Sequence, residues 1–179
     1  MVEYLLIMIA IRSARSSDTS SIARIHIDMW RLAYEGILSE DYLRRLSYSR
    51  SRMQWQIMLE RHTGVLIVAE SSDDGVMGFA AGGAERTGAF GVDGELMALY
   101  VLHGHHGIGV GRNLTVDMAR RLAEHGRTGM VVWVLADNPA RNFYDHMGGV
   151  KVGKRTIQLG DQQYREVAFV WRNLGELTG

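Results

Sequence analysis

No cysteine occurs among the 179 residues of the chain. Its absence excludes disulfide bonds, metal sites built on thiolates and a cysteine nucleophile. Repeats and low-complexity tracts are absent as well. The length suits one domain that can bury a proper hydrophobic core, so we expect residues 1–179 to form a single domain.

An excess of charge is also missing, because 20 basic residues balance 20 acidic ones. No long-range field therefore draws the protein to nucleic acid or to an anionic membrane, and we expect neither as a partner. The apolar run from Leu5 to Ile11 is far shorter than the ~20 residues of a membrane helix. It also lacks the basic start and cleavage site of a signal peptide. We predict a cytoplasmic protein, with residues 1–8 interpreted as an N-terminal extension.

The first third of the chain is predicted to be one strand followed by helices. An apolar stripe recurs at helical spacing over Ile22, Ile25, Met29 and Ala33, after a cap at Ser17 or Asp18. The other predicted elements here are a strand at 9–15 and helices at 39–46 and 49–61.

The rest of the chain alternates predicted strands with helices. Leu114, Met118 and Leu122 mark one helix that ends near Gly126, and Asn138-Pro139 starts a second that ends at Gly148. The predicted strands are 65–69, 76–81, 95–102, 130–135, 150–155 and 163–171, with 82–93 interpreted as a loop or a frayed strand end. This order predicts an α/β fold, a mixed sheet with helices on both faces.

A glycine-rich loop, His106 to Arg112, connects the 95–102 strand to the next helix. Glycine permits close backbone approach, and the unpaired amides at a helix start attract anions, so this loop suits a pyrophosphate. A tight connection without any ligand is the alternative. A Walker loop requires Lys-Ser/Thr after its last glycine, but Arg112-Asn113 follows here. A dinucleotide fingerprint fits poorly too, because these glycines lie in mid-chain with single-residue gaps.

The stretch from Tyr100 to Leu114 resembles the signature of the GNAT superfamily of N-acetyltransferases, whose core pattern is Gln/Arg-x-x-Gly-x-Gly/Ala. Gly109 and Gly111 match its glycines, and His106 takes the Gln/Arg position. The segment 138–144, followed by Gly148-Gly149, is similar to the second motif of the family, and 30–38 resembles its acceptor-side helices. A histidine near phosphate favours its charged form, so we expect the cofactor affinity to depend on pH.

The resemblance implies a largely antiparallel sheet of six or seven strands, splayed at its centre, with acceptor-side helices at 17–61. It also implies an acetyl-CoA-binding core at 94–149 and a homodimer. Acetyl-CoA would be the cofactor, with its pantetheine arm against the backbone of Leu99, Tyr100 and Val101. Asn138 would contact the same arm, although it is also a good N-cap residue. The pyrophosphate would lie on His106, Gly107, Ile108, Gly109, Val110, Gly111 and Arg112.

The reaction implied is direct acetyl transfer to a primary amine of a small molecule or peptide. Tyr144 matches the tyrosine of the family that protonates the leaving thiolate, and packing beside Phe143 is its alternative role. Glu95 is the candidate base, through water. Strand alternation predicts that it shares a face with Met97, Leu99 and Val101, where apolar surroundings would raise its pKa. An exposed charge at the strand end is the alternative for Glu95.

Two sets of residues have a structural and a functional interpretation. Trp30 and Tyr34, four residues apart, line the acceptor pocket or belong to the core. His103, His105 and His106 share one loop, which we interpret as solvated or next to phosphate and not as a metal site. Two other functions stay open: a CoA-binding regulatory module without catalysis, and a protein that binds another nucleotide.

Overall fold

The computed structural model describes residues 9–178, which form one seven-stranded sheet with helices on both faces. The strands are β1 (Ala10–Ser13), β2 (Val65–Ser71), β3 (Gly75–Ala84), β4 (Gly94–Val101), β5 (Met130–Leu135), β6 (Val150–Leu159) and β7 (Gln162–Trp171). The helices are α1 (Thr19–Ala33), α2 (Glu40–Arg44), α3 (Tyr48–Glu60), α4 (Val110–Glu124), α5 (Arg141–His146) and α6 (Gly175–Thr178). The N-terminal extension proposed for residues 1–8 lies outside the described residues.

The order of the strands in the sheet is β1-β2-β3-β4-β5-β7-β6. All neighbours pair antiparallel except β4 and β5, which are parallel. A parallel pair needs a long crossover between its strands, and α4 provides it. The predicted mixed, largely antiparallel sheet is therefore confirmed.

The sheet opens between β4 and β5. These strands pair only from Gly94 opposite Met130 to Leu96 opposite Val132, whereas β3 accompanies β4 as far as Val101. Within the described residues, 97–101 thus have a strand neighbour on one side only. The predicted splay at the centre of the sheet is confirmed, and it leaves the second half of β4 with a free backbone edge.

Two apolar cores cover the two faces of the sheet. On one face Leu114, Met118 and Leu122 of α4 are buried against the sheet, as their spacing predicts. On the other face Ile22, Ile25 and Met29 of α1 pack against the sheet together with α3. No helix among residues 9–178 is long and apolar enough to cross a membrane.

The glycine-rich segment after residue 81 is not a loop at its start, because β3 continues to Ala84. Gly82 pairs with Leu96, and a Cβ on Gly82 would lie 2.7 Å from Sδ of Met118 and 2.9 Å from the carbonyl oxygen of Glu95. A glycine is therefore required at this position because β3 packs closely under α4. From composition alone, the same glycine is a turn signal.

Several predicted boundaries were wrong. The helix expected from Asn138 begins at Arg141, and Asn138 is not its cap: its Oδ1 accepts the amide hydrogen of Ala140 (2.9 Å) in a turn. Asp18 does occupy the N-cap position of α1, as predicted, but its side chain caps no amide of that helix and accepts from the amide of Arg15 (2.7 Å). Strand β6 extends to Leu159, and α6 was not predicted.

Candidate active site

Three tyrosines meet near the point where β4 and β5 part. Tyr34 at the end of α1 and Tyr144 on α5 are buried, and Tyr100 on β4 is half-buried. The indole Nε1 of Trp30 donates to the hydroxyl of Tyr100 (2.8 Å). Burial raises the pKa of Tyr34, and hydrogen bonding of its phenol to the side chains of Tyr100 and Asn138 partly offsets that rise. The predicted residues Trp30, Tyr34, Tyr100 and Asn138 are thus brought together.

Tyr144 is buried among aromatic rings, with Phe143, Phe169 and Trp171 around it. Burial raises its pKa well above the ordinary value of a phenol. The hydroxyl therefore stays protonated at neutral pH, and the same burial makes it a weaker acid than an exposed phenol. The expected packing beside Phe143 is present, and it does not compete with a role for the hydroxyl.

The glycine loop leads directly into the N-terminus of α4. Gly109 occupies the N-cap position with φ +90°, a left-handed conformation that favours glycine. The first bond at this end runs from the amide of Asn113 to the carbonyl oxygen of Gly109 (2.9 Å). The amides of Val110, Gly111 and Arg112 precede that bond, so they face out of the helix start with its positive dipole end.

His106 connects this loop to the free strand edge. Its Nε2 hydrogen-bonds with the carbonyl oxygen of Val101, the last residue of β4 (2.8 Å), and its ring contacts that of His103 edge-on. Gly107 and Ile108 are exposed in the same loop. The predicted cofactor residues on β4 and in the loop therefore form one continuous surface.

Glu95 lies on the same face of the sheet as Met97, as predicted, but not on the face of Leu99 and Val101. Met97 is an extra residue in β4, since Ala98 pairs with Ala81 while Leu96 pairs with Gly82. This β-bulge breaks the alternation, and as a result Leu96 shares the α4 face with Leu99 and Val101. Glu95 therefore faces the α1 and α3 side, together with Ala98 and Tyr100.

The surroundings of Glu95 are not purely apolar either. Arg86 holds both carboxylate oxygens, with Nε 2.9 Å from Oε2 and Nη2 2.5 Å from Oε1. The Glu95 side chain is 3% exposed, so the alternative of an exposed strand-end charge is wrong. The site thus contains a buried carboxylate under a single arginine.

Two clefts open on the face of the sheet that α1 and α3 cover. The larger, about 720 Å³, lies between α1, α2, α3 and the turn that joins β6 to β7. The smaller, about 310 Å³, lies over β4, and its lining includes Trp55, Arg86 and Met97. Trp30, His26 and Gln54 line both. Trp30 is therefore in the cleft wall, whereas Tyr34 is buried behind it with its ring 4.9 Å away.

His26 stands at the junction of these clefts. Its Nδ1 hydrogen-bonds with Oγ of Ser51 (3.0 Å), and the rings of Trp30, Trp55, Phe79 and Tyr100 surround it. Burial lowers the pKa of His26 to about 4, so the imidazole is neutral at neutral pH.

Sequence reasoning missed His26 and Arg86. His26, Trp30 and Tyr34 recur every four residues along α1, so the helical spacing of Trp30 and Tyr34, extended one turn back, could have found His26. No local signal marks Arg86, because it lies in a loop and reaches Glu95 through the fold.

Comparison with known proteins agrees with this geometry. Residues 87–157 match a family described as FR47-like protein. The uncharacterized N-acetyltransferase YuaI of Bacillus subtilis (strain 168) is 34% identical over 170 residues, which is 95% of this chain and 96% of the relative.

Solved structures share the fold. A ribosomal-protein-alanine N-acetyltransferase from Brucella melitensis has a TM-score of 0.71 at 23% identity, covering 91% of this chain and 99% of its own. A GNAT superfamily phosphinothricin acetyltransferase from Sinorhizobium meliloti, in complex with AcCoA, has a TM-score of 0.69 at 16% identity, with 92% and 88% covered.

Fold and site together define an enzyme of the acyltransferase class. The chain belongs to the GNAT superfamily of N-acetyltransferases, as its motifs predict. Members of this class take the acetyl group from acetyl-CoA.

Proposed function

We propose that the protein transfers the acetyl group of acetyl-CoA directly to the primary amine of a small-molecule or peptide acceptor. One observation carries this function: a free strand edge, an open helix start and a buried phenol meet where β4 and β5 part. The family membership supports the same reaction.

The residues present fit the cofactor. The edge of β4 at Leu99, Tyr100 and Val101 has backbone groups to pair with a pantetheine arm, and Asn138 lies beyond the opening. The amides at the start of α4 suit a diphosphate. A Cβ on Gly109 would meet no atom within 4 Å, so the space in front of the helix is open. When bound there, acetyl-CoA supplies an acetyl group activated as a thioester.

Tyr144 then serves as the proton donor. Its buried hydroxyl keeps its proton at neutral pH and gives it to the sulfur as the carbon–sulfur bond breaks. The buried phenol of Tyr34 and the amide of Asn138 lie near the same opening and orient the groups that meet there.

Glu95 is the proton acceptor in this scheme. The bulge at Met97 turns its carboxylate to the acceptor side, where an ammonium arriving through the clefts can lose a proton to it, directly or through water. Glu95 holds the proton that the ammonium loses, and the neutral amine nitrogen then forms the new bond to the acetyl carbon as the carbon–sulfur bond breaks. The sulfur takes the proton of Tyr144, and the second proton of the nitrogen returns to the Tyr144 oxygen, so that the amide and free thiol leave with Glu95 protonated.

The acceptor is not fixed by the fold. One structural neighbour is named for a ribosomal-protein alanine and another for phosphinothricin, so a similar scaffold hosts both protein and small-molecule acceptors. A cytoplasmic location and a homodimer stay predictions.

Calorimetry with acetyl-CoA, ATP and NAD tests the cofactor, and thiol release with a panel of primary amines tests the reaction. We expect acetyl-CoA alone to bind and at least one amine to release free thiol. A preference for ATP or NAD would overturn the function. Tight binding of acetyl-CoA without thiol release from any amine would instead indicate a regulatory module.

A further inference from the structure

The ion pair between Arg86 and Glu95 is unusually asymmetric. The Glu95 side chain is 3% exposed, whereas the Arg86 side chain is 62% exposed and lines the smaller cleft. Both carboxylate oxygens are occupied by the guanidinium. A group that enters the smaller cleft therefore meets the arginine first, and Glu95 is accessible only after Arg86 moves aside.

Moving Arg86 aside has an electrostatic condition. A buried carboxylate that loses its partner is strongly destabilised, so another cation must replace the guanidinium at Glu95. The freed guanidinium is exposed and is solvated by water or by the nearby Glu85, and an anion on the acceptor gains a charge-assisted bidentate contact with it. An acceptor with only an ammonium forgoes that contact, and an acceptor with only an anion leaves Glu95 unpaired.

A zwitterionic acceptor satisfies both groups at once. Building on the acetyl transfer proposed above, we propose that the acceptor is a compact zwitterionic amine, whose oxyanion binds Arg86 and whose ammonium replaces the guanidinium at Glu95. The guanidinium and the carboxylate are in contact before the exchange, so the two charges of the acceptor are separated by only a few bonds. An α- or β-amino acid has this spacing.

The lining of the cleft describes the remainder of the acceptor. Beside Arg86 and Gln54, the walls are largely apolar and include Trp30, Trp55 and Met97. His26 adds no charge, since burial keeps it neutral. The acceptor is thus expected to carry an apolar side chain.

The exchange couples recognition to proton transfer. While Arg86 holds both oxygens, its guanidinium stands between the carboxylate of Glu95 and an acceptor in the smaller cleft. Once the ammonium has replaced the guanidinium, Glu95 accepts one proton from it and the neutral amine attacks. Arg86 is therefore a specificity-determining residue for this reaction.

The test uses acceptors in matched triplets: L-leucine, L-methionine and L-phenylalanine, their carboxamides, and the corresponding amines without the carboxyl group. Thiol release gives kcat and KM for each with the full-length protein. We expect the acids to exceed the amides and the simple amines in kcat/KM by roughly 10- to 100-fold, the range typical of one charge-assisted bidentate contact.

Variants assign this preference to Arg86. Arg86→Met should reduce the acid-to-amide ratio to within about 3-fold, mainly through KM, and Arg86→Lys should restore part of it, because lysine keeps the charge but not the fork. Arg121→Met is the matched control. It breaks a similar pair with Asp117 (Nε to Oδ2 2.6 Å) on α4, away from the clefts, and should leave the ratio unchanged.

Misfolding is separated from recognition by the double variant Arg86→Met/Glu95→Gln, which removes the buried carboxylate together with its exposed partner. It should regain the thermal stability that Arg86→Met loses. Selectivity is measured in Arg86→Met itself, because the double variant also lacks the proton acceptor. The proposal of a zwitterionic acceptor would be overturned if the wild type had the same kcat/KM for acids and amides, or if Arg86→Met lowered both values by the same factor. Turnover confined to amines that lack an anion would overturn it too. Absence of thiol release from every amine would instead overturn the acetyl transfer itself.

Discussion

The cofactor side and the acceptor side of this site are built from different parts of the chain. The cofactor side is mainly backbone: the edge of β4 and the amides at the start of α4, contiguous in sequence from Leu99 to Arg112. The acceptor side consists of side chains from α1, α3, β4 and the loop after β3. Backbone amide and carbonyl groups can bind a cofactor whatever the local side chains are, whereas the side chains of the cleft determine which acceptor binds.

The electrostatics of the two sides differ as well. At the cofactor side, open amides and a helix dipole present a fixed positive potential to solvent. At the acceptor side the charges are paired or neutralised, since Glu95 is held by Arg86 and His26 is uncharged. We therefore expect changes on the first side to act on affinity for acetyl-CoA, and changes on the second to act on turnover, selectivity or stability.

The largest expected effect comes from placing an anion on the cofactor side. Gly109→Glu adds a carboxylate at the open helix start and a Cβ to a residue with φ +90°. We expect the Kd for acetyl-CoA to rise by more than about 1,000-fold, because the new charge repels the diphosphate. Calorimetry measures it.

Gly109→Ala is the control for backbone strain, because it adds the Cβ without the charge. Its loss of affinity should be much smaller than that of Gly109→Glu. If both variants bind acetyl-CoA as tightly as the wild type, the start of α4 is not the diphosphate site, and the division into two sides fails.

The next largest effect is expected from Tyr144→Phe, which removes the phenol hydroxyl that lies between the cofactor side and the acceptor side. We predict a fall in kcat of about 100-fold, typical of a lost proton donor, with the Kd for acetyl-CoA changed by less than about 3-fold. Steady-state thiol release and calorimetry measure the two quantities.

Tyr34→Phe removes a second buried phenol from the same cluster and should lower kcat by less than about 10-fold. Equal losses of turnover and affinity in Tyr144→Phe would make Tyr144 a binding residue. If Tyr34→Phe lowered kcat as much as Tyr144→Phe, Tyr34 would be a candidate for the proton donor as well.

Much of the fold could be predicted from the sequence because its signals are local. The stripe of α1 and the repeat of Leu114, Met118 and Leu122 reflect periodicity within a few helical turns. The strand at 130–135 is marked by a short continuous apolar run. The errors arose where tertiary packing overrides local preference. The composition after residue 81 allows a loop or a frayed strand end, and packing of Gly82 under α4 decides for a strand as far as Ala84. The short α6 has little periodicity of its own.

The site divides in the same way. The glycine loop is readable because its function depends on consecutive backbone groups. The face of the sheet on which Glu95 lies could not be predicted, since one extra residue in β4, Met97, reverses the face of every residue before it. The partner of Glu95 is equally hidden, because only the path of the chain after β3 brings Arg86 to it.

The smallest expected effect tests the neutral histidine of the acceptor side. Burial lowers the pKa of His26 to about 4 from an ordinary 6.5, so below pH 6.5 the unfolded chain takes up a proton that the folded protein does not. Stability is therefore lost as the pH falls from 6.5 to 4. Between pH 7 and pH 5, this linkage lowers the free energy of unfolding by about 2 kcal/mol.

His26→Asn removes the titration and keeps a polar atom near the position of Nδ1 for Ser51. Urea unfolding at pH 7 and pH 5 should show a loss smaller than that of the wild type by about 2 kcal/mol, with the Kd for acetyl-CoA unchanged. His62→Asn, at an exposed residue whose φ of +48° asparagine tolerates, should keep the pH dependence of the wild type. If His26→Asn loses as much stability as the wild type, the imidazole is charged in the folded protein. The smaller cleft would then carry a cation beside Arg86, and its apolar character, on which the separation of the two sides depends, would be lost.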